Sequence, residues 1–233
     1  MKYMGSKARI AKHILPIILK DRKDGQLYWE PFVGGGNMID KVGGRRMGSD
    51  SNRPLISALT LIKDNPLSIP DLITEDDYRA AKKRKISMLD GFIGFAMSFG
   101  GKYFGGYRRD VKGSEGCEVN MLTQTRRSKQ SAVKQSVLLK GVDLMCASYL
   151  NIQPKEDCII YCDPPYANTT KYKDSFNHDE FWQWCRVMTK KGHNLFISEY
   201  NAPEDFVCVW QKEIQSGLNT NSAVRCVIRK GCG

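Results

Sequence analysis

Long apolar runs are missing from this sequence. No stretch approaches the ~18 consecutive apolar residues that cross a bilayer. The apolar stretch near the start, residues 14–19, contains Pro16 and is shorter than the apolar core of a signal peptide. We therefore expect a soluble protein that is not exported and has no membrane partner.

Metal-binding patterns are also scarce. The chain has only three histidines, and its eight cysteines form no Cys-x-x-Cys pair. Cys158 and Cys162 have a Cys-x-x-x-Cys spacing within a strand-like run, which is not typical of zinc ligands. We expect no metal site and interpret most cysteines as reduced core thiols, because they stand in largely apolar contexts. These cysteines are Cys146, Cys158, Cys162, Cys185, Cys208 and Cys226.

Acidic residues are few relative to basic ones. The chain of 233 residues has 36 Lys and Arg against 25 Asp and Glu, a net charge of +11. Such an excess favours a polyanionic partner, either nucleic acid or an anionic membrane surface. The hydrophobic fraction of 41% is that of an ordinary globular protein. At about 150 residues per domain, the length fits one large domain or a core with an insertion.

The apolar pattern alternates between strands and helices in two stretches of the chain. The first stretch predicts a helix, a strand, a brief helix, a second strand and another helix, at residues 6–20, 26–30, 37–42, 45–48 and 53–63. The second predicts helices at 133–147 and 178–190, strands at 158–162 and 194–200, and a hairpin of 206–214 with 223–229. Asn177 is the expected N-cap of the helix at 178–190. This order predicts an α/β fold with a doubly wound, mostly parallel sheet.

Residues 71–135 interrupt that alternation. They are polar, basic and rich in glycine, with thirteen Lys or Arg against eight acids. We interpret them as an inserted subdomain between the two parts of an α/β core, residues 1–70 and 136–233. The insert has more than twice the net positive charge per residue of the core.

A glycine-rich segment follows the first predicted strand. It reads E-P-F-V-G-G-G at residues 30–36, and Asp50 ends the second predicted strand twenty residues after Glu30. Glycines there let the backbone approach a ligand closely, and an acid at that place can accept both hydroxyls of a ribose. The two features predict a site for an adenosine-containing cofactor. A tight turn beside a solvated Asp is the alternative.

A second motif, D-P-P-Y at residues 163–166, follows the buried strand at 158–162. Two consecutive prolines make a stiff loop that holds a carboxylate, a carbonyl and an aromatic ring in fixed relation. Asp163 and the Pro164 carbonyl can accept the two hydrogens of an exocyclic amino group, while Tyr166 stacks on the ring of the base. Accepting both hydrogens favours a pyramidal nitrogen whose lone pair can attack.

The order of these motifs resembles the Dam-like family of S-adenosylmethionine-dependent DNA adenine-N6 methyltransferases. The resemblance rests on K-Y-M-G-S-K at residues 2–7, the segment 30–36, G-S-D at 48–50, an insert, and D-P-P-Y at 163–166. It implies the sheet of that methyltransferase fold with an inserted DNA-recognition subdomain. It also implies a cofactor site lined by Tyr3, Lys7, Phe32, Gly34, Gly36, Asp50 and Asp163. Asp163, Pro164 and Tyr166 would hold the target adenine.

The insert supplies candidate DNA contacts. Residues 98–109 interleave aromatic, glycine and basic residues without an acid, a mixture that suits phosphate contact and wedging near an extruded base. Pairs of arginines can also read guanine in the major groove. The candidates are Lys102, Tyr107, Arg108, Arg109, Arg126 and Arg127. A solvated loop is the alternative.

The expected reaction is methylation of adenine N6 in double-stranded DNA after base flipping, in the cytoplasm of a bacterial or virus-infected bacterial cell. Such enzymes include those of restriction–modification systems. Methylation of cytosine N4 or of an RNA amino group stays open, as does a DNA-binding protein that kept the fold and lost turnover. Cytosine-C5 chemistry is disfavoured, because it needs a nucleophilic thiol and the chain has no Pro-Cys dipeptide. The recognition sequence and the oligomeric state are not set by the sequence.

Overall fold

Seven strands form one sheet in the residues that the computed structural model describes, which are 1–108, 117–165, 176–215 and 222–230. The strands are β1 (Leu27–Glu30), β2 (Arg46–Asp50), β3 (Val142–Cys146), β4 (Cys158–Cys162), β5 (Asn194–Glu199), β6 (Phe206–Gln215) and β7 (Ser222–Lys230). Their order across the sheet is β3-β2-β1-β4-β5-β7-β6. The first five are parallel, and β7 pairs antiparallel with both β5 and β6. The predicted doubly wound, mostly parallel sheet is confirmed.

The helices of the described residues are α1 (Ala11–Ile18), α2 (Arg53–Asp64), α3 (Glu75–Arg84), α4 (Met88–Ala96), α5 (Cys117–Leu139) and α6 (His178–Lys190). None of them has the length and apolar character that crossing a membrane requires. Helix α6 begins as predicted, because the side chain of Asn177 accepts a hydrogen bond from the backbone N–H of Glu180. The predicted brief helix at 37–42 is a single 3-10 turn, Ile39–Lys41.

The strand order reverses at β1, which lies between β2 and β4. In open parallel sheets, a crevice forms at such a reversal, outside the carboxyl ends of the strands. Glu30, Asp50 and Cys162 are the last residues of β1, β2 and β4. The fold therefore brings the glycine-rich segment, Asp50 and the D-P-P motif to one edge of the sheet.

Strand β3 corrects one prediction. Residues 133–147 were expected to be helical, but α5 ends at Leu139 and β3 pairs in parallel with β2. Gly141 separates the two elements with a φ of 76°, a backbone conformation that ends a helix. β3 lies at the edge of the sheet with most of its side chains at least partly exposed, so its apolar pattern is weak.

The segment expected to be an insert contains α3, α4 and most of α5. Helix α4 packs so closely against α2 that a Cβ on Gly91 would lie 2.5 Å from the carbonyl oxygen of Pro54. Helix α5 continues through residue 135, the expected boundary, to Leu139. The division into a core of residues 1–70 and 136–233 and an insert of 71–135 stays a prediction.

The cysteines divide into two groups. Cys158, Cys162 and Cys185 are buried free thiols, as their apolar contexts predict. Cys146 and Cys208 are exposed, so the expectation of a core position is wrong for them, since both lie in or next to the outermost strands of the sheet. The side chain of Cys226 lies outside the described residues.

Candidate active site

A cavity of about 770 Å³ opens at the carboxyl ends of β1, β2 and β4. Its lining comes from six segments that are distant in sequence, within residues 3–7, 30–38, 50–52, 148–150, 161–165 and 176–180. Seven of the predicted site residues line it, namely Tyr3, Lys7, Phe32, Gly34, Asp50, Asp163 and Pro164. Gly36 lies in the same loop but does not line the cavity, and Tyr166 lies outside the described residues.

The glycine loop needs its glycines for conformation and for space. Gly34 and Gly36 have φ of 52° and 68°, in the left-handed region that L side chains rarely adopt. A Cβ on Gly34 would lie 3.0 Å from the Tyr3 ring. At Gly35, a Cβ would lie 2.6 Å from the Cβ of Tyr3. The loop and the chain around Tyr3 therefore pack directly on each other at the wall of the cavity.

Asp50 is tied to both neighbouring turns. Its carboxylate accepts hydrogen bonds from the backbone N–H of Gly34 at 3.3 Å and of Asn52 at 2.9 Å. Burial raises the pKa of Asp50, and these two backbone donors partly oppose that rise. A partly buried carboxylate at the end of β2, held by two backbone donors, has the position and chemistry to accept the hydroxyls of a ribose.

Glu30 is a buried carboxyl in the same cavity, with 2% of its surface exposed. The hydroxyl of Tyr28 donates to its Oε1 at 2.9 Å. Burial raises the pKa of Glu30 well above its usual range, and the negative charges of Asp40 and Asp163 add to the rise. Glu30 is the first residue of the predicted glycine-rich segment, but the sequence did not predict that its carboxyl group is buried.

Lys7 and Asp163 form an ion pair inside the cavity. The Lys7 Nζ donates to Oδ2 of Asp163 and also to the carbonyl oxygen of Gly5 at 3.0 Å. The side chain of Lys7 is 3% exposed and that of Asp163 is 22% exposed. The pair joins the segment before α1 to the loop after β4. Sequence reasoning placed both residues in the cofactor site but did not pair them.

The strand before the D-P-P loop and the prolines within the loop both restrict its conformation. Tyr161, on β4, shares a hydrogen bond of 2.8 Å with the buried hydroxyl of Ser198 on β5. Pro164 and Pro165 follow Asp163 and line the cavity with it. Strand β4 is thus bonded to β5 both by backbone and by this side-chain pair, and the two prolines restrict the backbone that follows Asp163.

The turn after β3 contributes residues that the sequence analysis missed. Ser148, Tyr149 and Leu150 line the cavity, and the Tyr149 ring lies 5.2 Å from the Phe32 ring. Burial raises the pKa of Tyr149 to about 12, so its hydroxyl keeps its proton at neutral pH. Asn177 and Glu180 at the start of α6 were missed as well. Gly141 is the sequence signal that could have predicted the end of the helix and the turn that follows β3.

The predicted DNA contacts in the described part of the chain lie outside this cavity. Arg108 and Arg127 line a smaller cavity of about 160 Å³ with Lys2, and the exposed Arg126 lines a third depression. Lys102 is exposed. Tyr107 is half-buried, with its hydroxyl donating to the carbonyl of Ile73 at 2.9 Å. Arg109 lies outside the described residues.

No group of three His, Cys, Asp or Glu side chains in the described part of the chain could hold a metal ion. The three buried thiols Cys158, Cys162 and Cys185 all have pKa values raised by burial, as expected for thiols that stay protonated.

Comparison with known proteins gives one family match, over the first part of the chain. Residues 3–94 match the D12 class N6 adenine-specific DNA methyltransferase family. The match covers Tyr3, Lys7, the glycine loop and Asp50, and it ends before Asp163. Over these residues the match agrees with the predicted resemblance to adenine-specific DNA methyltransferases, and with it the predicted enzyme class and DNA as the substrate class. Adenine methyltransferases of the D12 class use S-adenosylmethionine, which confirms the predicted cofactor.

The other comparisons add a solved structure. The chain is similar to the "putative methylase HI0767 from Haemophilus influenzae", with 8% sequence identity and a TM-score of 0.41 over 97% of this chain and 99% of that chain. No curated protein sequence matches the chain.

Several features of the cavity suit S-adenosylmethionine. Asp50 presents a carboxylate at the end of β2, and the turn at Gly34 leaves backbone instead of side chains along the wall. The aromatic rings of Phe32 and Tyr149 border the same space. A volume of about 770 Å³ lies within the range of small-molecule and cofactor sites.

Proposed function

We propose that this D12-class chain transfers the methyl group of S-adenosylmethionine to N6 of an adenine extruded from double-stranded DNA, with Asp163 and Pro164 as the residues that hold N6. The observation that carries the proposal is the position of Asp163. It shares one cavity with Asp50 and Gly34 and is fixed by Lys7. Cofactor and target carboxylate therefore meet in a single space.

On the cofactor side, Asp50 would accept the ribose hydroxyls, and Phe32 would pack against the cofactor's adenine. Tyr3 and Lys7 complete that side, with Gly34 and Gly36 setting the shape of the loop. When bound, S-adenosylmethionine would supply a methyl group on a sulfonium sulfur. N6 would take the methyl group as its bond to sulfur breaks, which leaves S-adenosylhomocysteine, and the methylated N6 would release one proton to solvent. Because the methyl group is already activated, proximity and orientation supply much of the rate.

On the target side, Asp163 and the Pro164 carbonyl would accept the two N6 hydrogens. This makes the nitrogen pyramidal and frees its lone pair from the ring. Lys7 fixes the orientation of the carboxylate through Oδ2. Tyr166, outside the described residues, would stack on the extruded adenine. A base must leave the helix to reach a cavity of this kind, at a cost of a few kcal/mol.

The basic segment would face the DNA. Lys102, Tyr107, Arg108, Arg109, Arg126 and Arg127 are the proposed contacts, within a target-recognition insert of residues 71–135. The place of action would be the cytoplasm of a bacterial cell or of a virus-infected one, with or without a partner nuclease.

A methylation assay with labelled cofactor tests the reaction. We expect label in double-stranded DNA and N6-methyladenine at one short sequence when exposed plasmid is mapped at base resolution. Asp163→Ala should abolish transfer while part of the cofactor or DNA binding survives. Asp157→Asn, at an exposed carboxylate before β4, is the matched control and should keep full activity.

The same assay separates the alternatives. Label only in RNA, or only on cytosine N4, would contradict adenine specificity in DNA. DNA binding without any transfer would identify a non-catalytic protein on this fold. Full activity of Asp163→Ala would refute the role of that carboxylate.

A further inference from the structure

The active-site cavity is lined from the ends of four neighbouring strands, in the order β3-β2-β1-β4. The D-P-P loop with Asp163 follows β4, and the turn with Tyr149 follows β3. Asp50, at the end of β2, lies between these two ends of the cavity. In S-adenosylmethionine the ribose likewise lies between the sulfonium sulfur and the adenine base. In the proposed function the ribose lies at Asp50 and the methyl group beside Asp163, so the base extends towards the turn after β3.

Aromatic rings form the wall of the cavity at the β3 end. The Phe32 ring lies 5.2 Å from that of Tyr149 and 5.8 Å from that of Phe176, and the last two rings are 6.2 Å apart. All three residues line the cavity. Such rings offer a planar base an apolar surface, but stacking does not distinguish one purine from another, because every base has a π-face.

Glu180 brings a carboxylate to this end of the cavity. It stands in the first turn of α6, is exposed and lines the cavity together with Phe176. Burial is the main cause of the raised pKa of Tyr149, and the negative charge of Glu180 adds to the rise, which places the carboxylate near the Tyr149 hydroxyl. Within the described part of the chain, the Glu180 carboxylate makes no hydrogen bond and no ion pair.

Glu180 also differs from the acids at the same position of two other helices. In α3 and α4 the third residue, Asp77 or Asp90, accepts a hydrogen bond from the backbone N–H of the residue that caps the helix, which closes a capping box. In α6 the side chain of Asn177 caps the helix, but the backbone N–H of Asn177 donates no bond to Glu180. The carboxylate is therefore left to face the cavity.

We propose that Glu180 recognises the adenine base of S-adenosylmethionine by accepting a hydrogen bond from its 6-amino group. The inference rests on the proposed function and assigns one residue to the specificity of its cofactor site. An ionised carboxylate only accepts hydrogen bonds, so it suits an amino group and disfavours the carbonyl oxygen of a deaminated base. The rings of Phe32, Tyr149 and Phe176 would hold the plane of the base while Glu180 contacts its edge.

Two product analogues test this assignment without methyl transfer. S-inosylhomocysteine carries a carbonyl oxygen where S-adenosylhomocysteine carries the 6-amino group. In calorimetric titrations of wild type, S-adenosylhomocysteine should have the lower Kd by about tenfold or more, because the carbonyl would leave two acceptors facing each other. Glu180→Gln should narrow this ratio to about threefold or less, because its amide can donate to the carbonyl.

Asp179→Asn is the matched control. It removes the same charge from the same turn of α6, at an exposed residue that does not line the cavity. It should keep the wild-type ratio of Kd values, and the two variants should have similar unfolding temperatures. In the methylation assay, Glu180→Gln should raise the KM for S-adenosylmethionine about tenfold and leave kcat nearly unchanged, because Glu180 lies at the end of the cavity away from Asp163.

The outcomes separate this inference from the proposed function. Wild type without the preference, an unchanged ratio in Glu180→Gln, or an equal change in Asp179→Asn would overturn the role of Glu180 and leave the proposed function standing. Wild type that binds neither analogue would overturn the proposed cofactor site and this inference with it.

Discussion

Lys7 pairs with Asp163 across 156 positions of sequence, within a cavity that also contains Asp50. Besides joining two loops, the pair includes the Asp163 carboxylate, which is the group that we propose to hold the target amino group. A cation on one carboxylate oxygen limits how the group can rotate. The geometry of the target side of the site therefore depends on a residue from the cofactor side.

A double-mutant cycle measures this pair. We expect Lys7→Met and Asp163→Asn each to lower the free energy of unfolding, with a favourable coupling of about 0.5–3 kcal/mol in the double variant. Removing one partner of this partly buried pair leaves the other charge uncompensated. Lys12→Met, on the exposed side of α1, is the control. Strictly additive effects in urea unfolding would show that the pair contributes nothing.

Asp50 should control cofactor affinity and its pH dependence. Asp50→Asn should weaken cofactor binding by about tenfold or more, because a charge-assisted hydrogen bond is replaced by a neutral one. Since burial raises the pKa of Asp50, wild-type affinity should fall on acidification at a higher pH than an ordinary Asp would give.

Calorimetric titration of the cofactor over a pH series checks the Asp50 prediction. The Asp50→Asn profile should be flat over that range. Asp64→Asn, an exposed acid at the end of α2, should follow wild type. An identical acid limb in Asp50→Asn would assign the pH dependence to another group.

Glu30 should make the folded protein less stable as pH rises. Its pKa is raised in the folded state, so the native protein holds more protons than the unfolded chain above the ordinary Glu pKa. The stabilisation present at low pH is lost as pH rises through the folded-state pKa. A pKa that is one pH unit higher in the folded state than in the unfolded state corresponds to about 1.4 kcal/mol of unfolding free energy.

Glu30→Gln should remove this pH-dependent loss of stability, because a glutamine side chain does not ionise. Its amide oxygen can still accept a hydrogen bond from the Tyr28 hydroxyl. Cofactor-free unfolding curves from acid to neutral pH should diverge, with the variant the more stable at neutral pH. Glu156→Gln, at a side chain that is 69% exposed, should parallel wild type. A parallel curve for Glu30→Gln as well would mean that Glu30 is ionised in the native protein.

Gln135 should link α5 to the glycine loop. Its buried amide donates to the Gly35 carbonyl at 3.0 Å and to the Asp40 carboxylate at 3.1 Å. Gln135→Leu should cost about 1–3 kcal/mol in unfolding free energy, because these acceptors lose a donor. Cofactor affinity should fall too, since the loop loses a support.

The exposed Gln130 of the same helix gives the matched control Gln130→Leu. Thermal unfolding and cofactor titration of both variants separate a general helix effect from one on the loop. Cofactor affinity that is the same in Gln135→Leu and wild type would show that the loop keeps its shape unaided.

The sequence predicted the strands that carry the site because their signals are local. β1 and β4 are short apolar runs bounded by glycine or proline, and α6 begins at a recognisable cap. The motifs at their ends then follow from parallel pairing, which brings carboxyl ends to one edge. The Lys7–Asp163 pair could not be predicted, because it depends on how two loops meet.

Helix α4 of the insert was missed for a physical reason. Gly91 and Gly94 lie inside α4, where glycine is unfavourable for an isolated helix. Their role is tertiary, because Gly91 admits the backbone of α2 and Gly94 admits the Tyr103 ring. Close packing repays the propensity cost, and a pattern read along the chain does not contain that packing.

The separation of Lys7 from Asp163 also sets an order of events in folding. The wall from residues 3–7 and the loop after β4 close one cavity, so ligand binding requires contacts between opposite thirds of the chain. Long-range closure of this kind is slow compared with helix formation. Cofactor binding should thus be among the last properties to return on refolding, after the α2–α4 helix pair has formed.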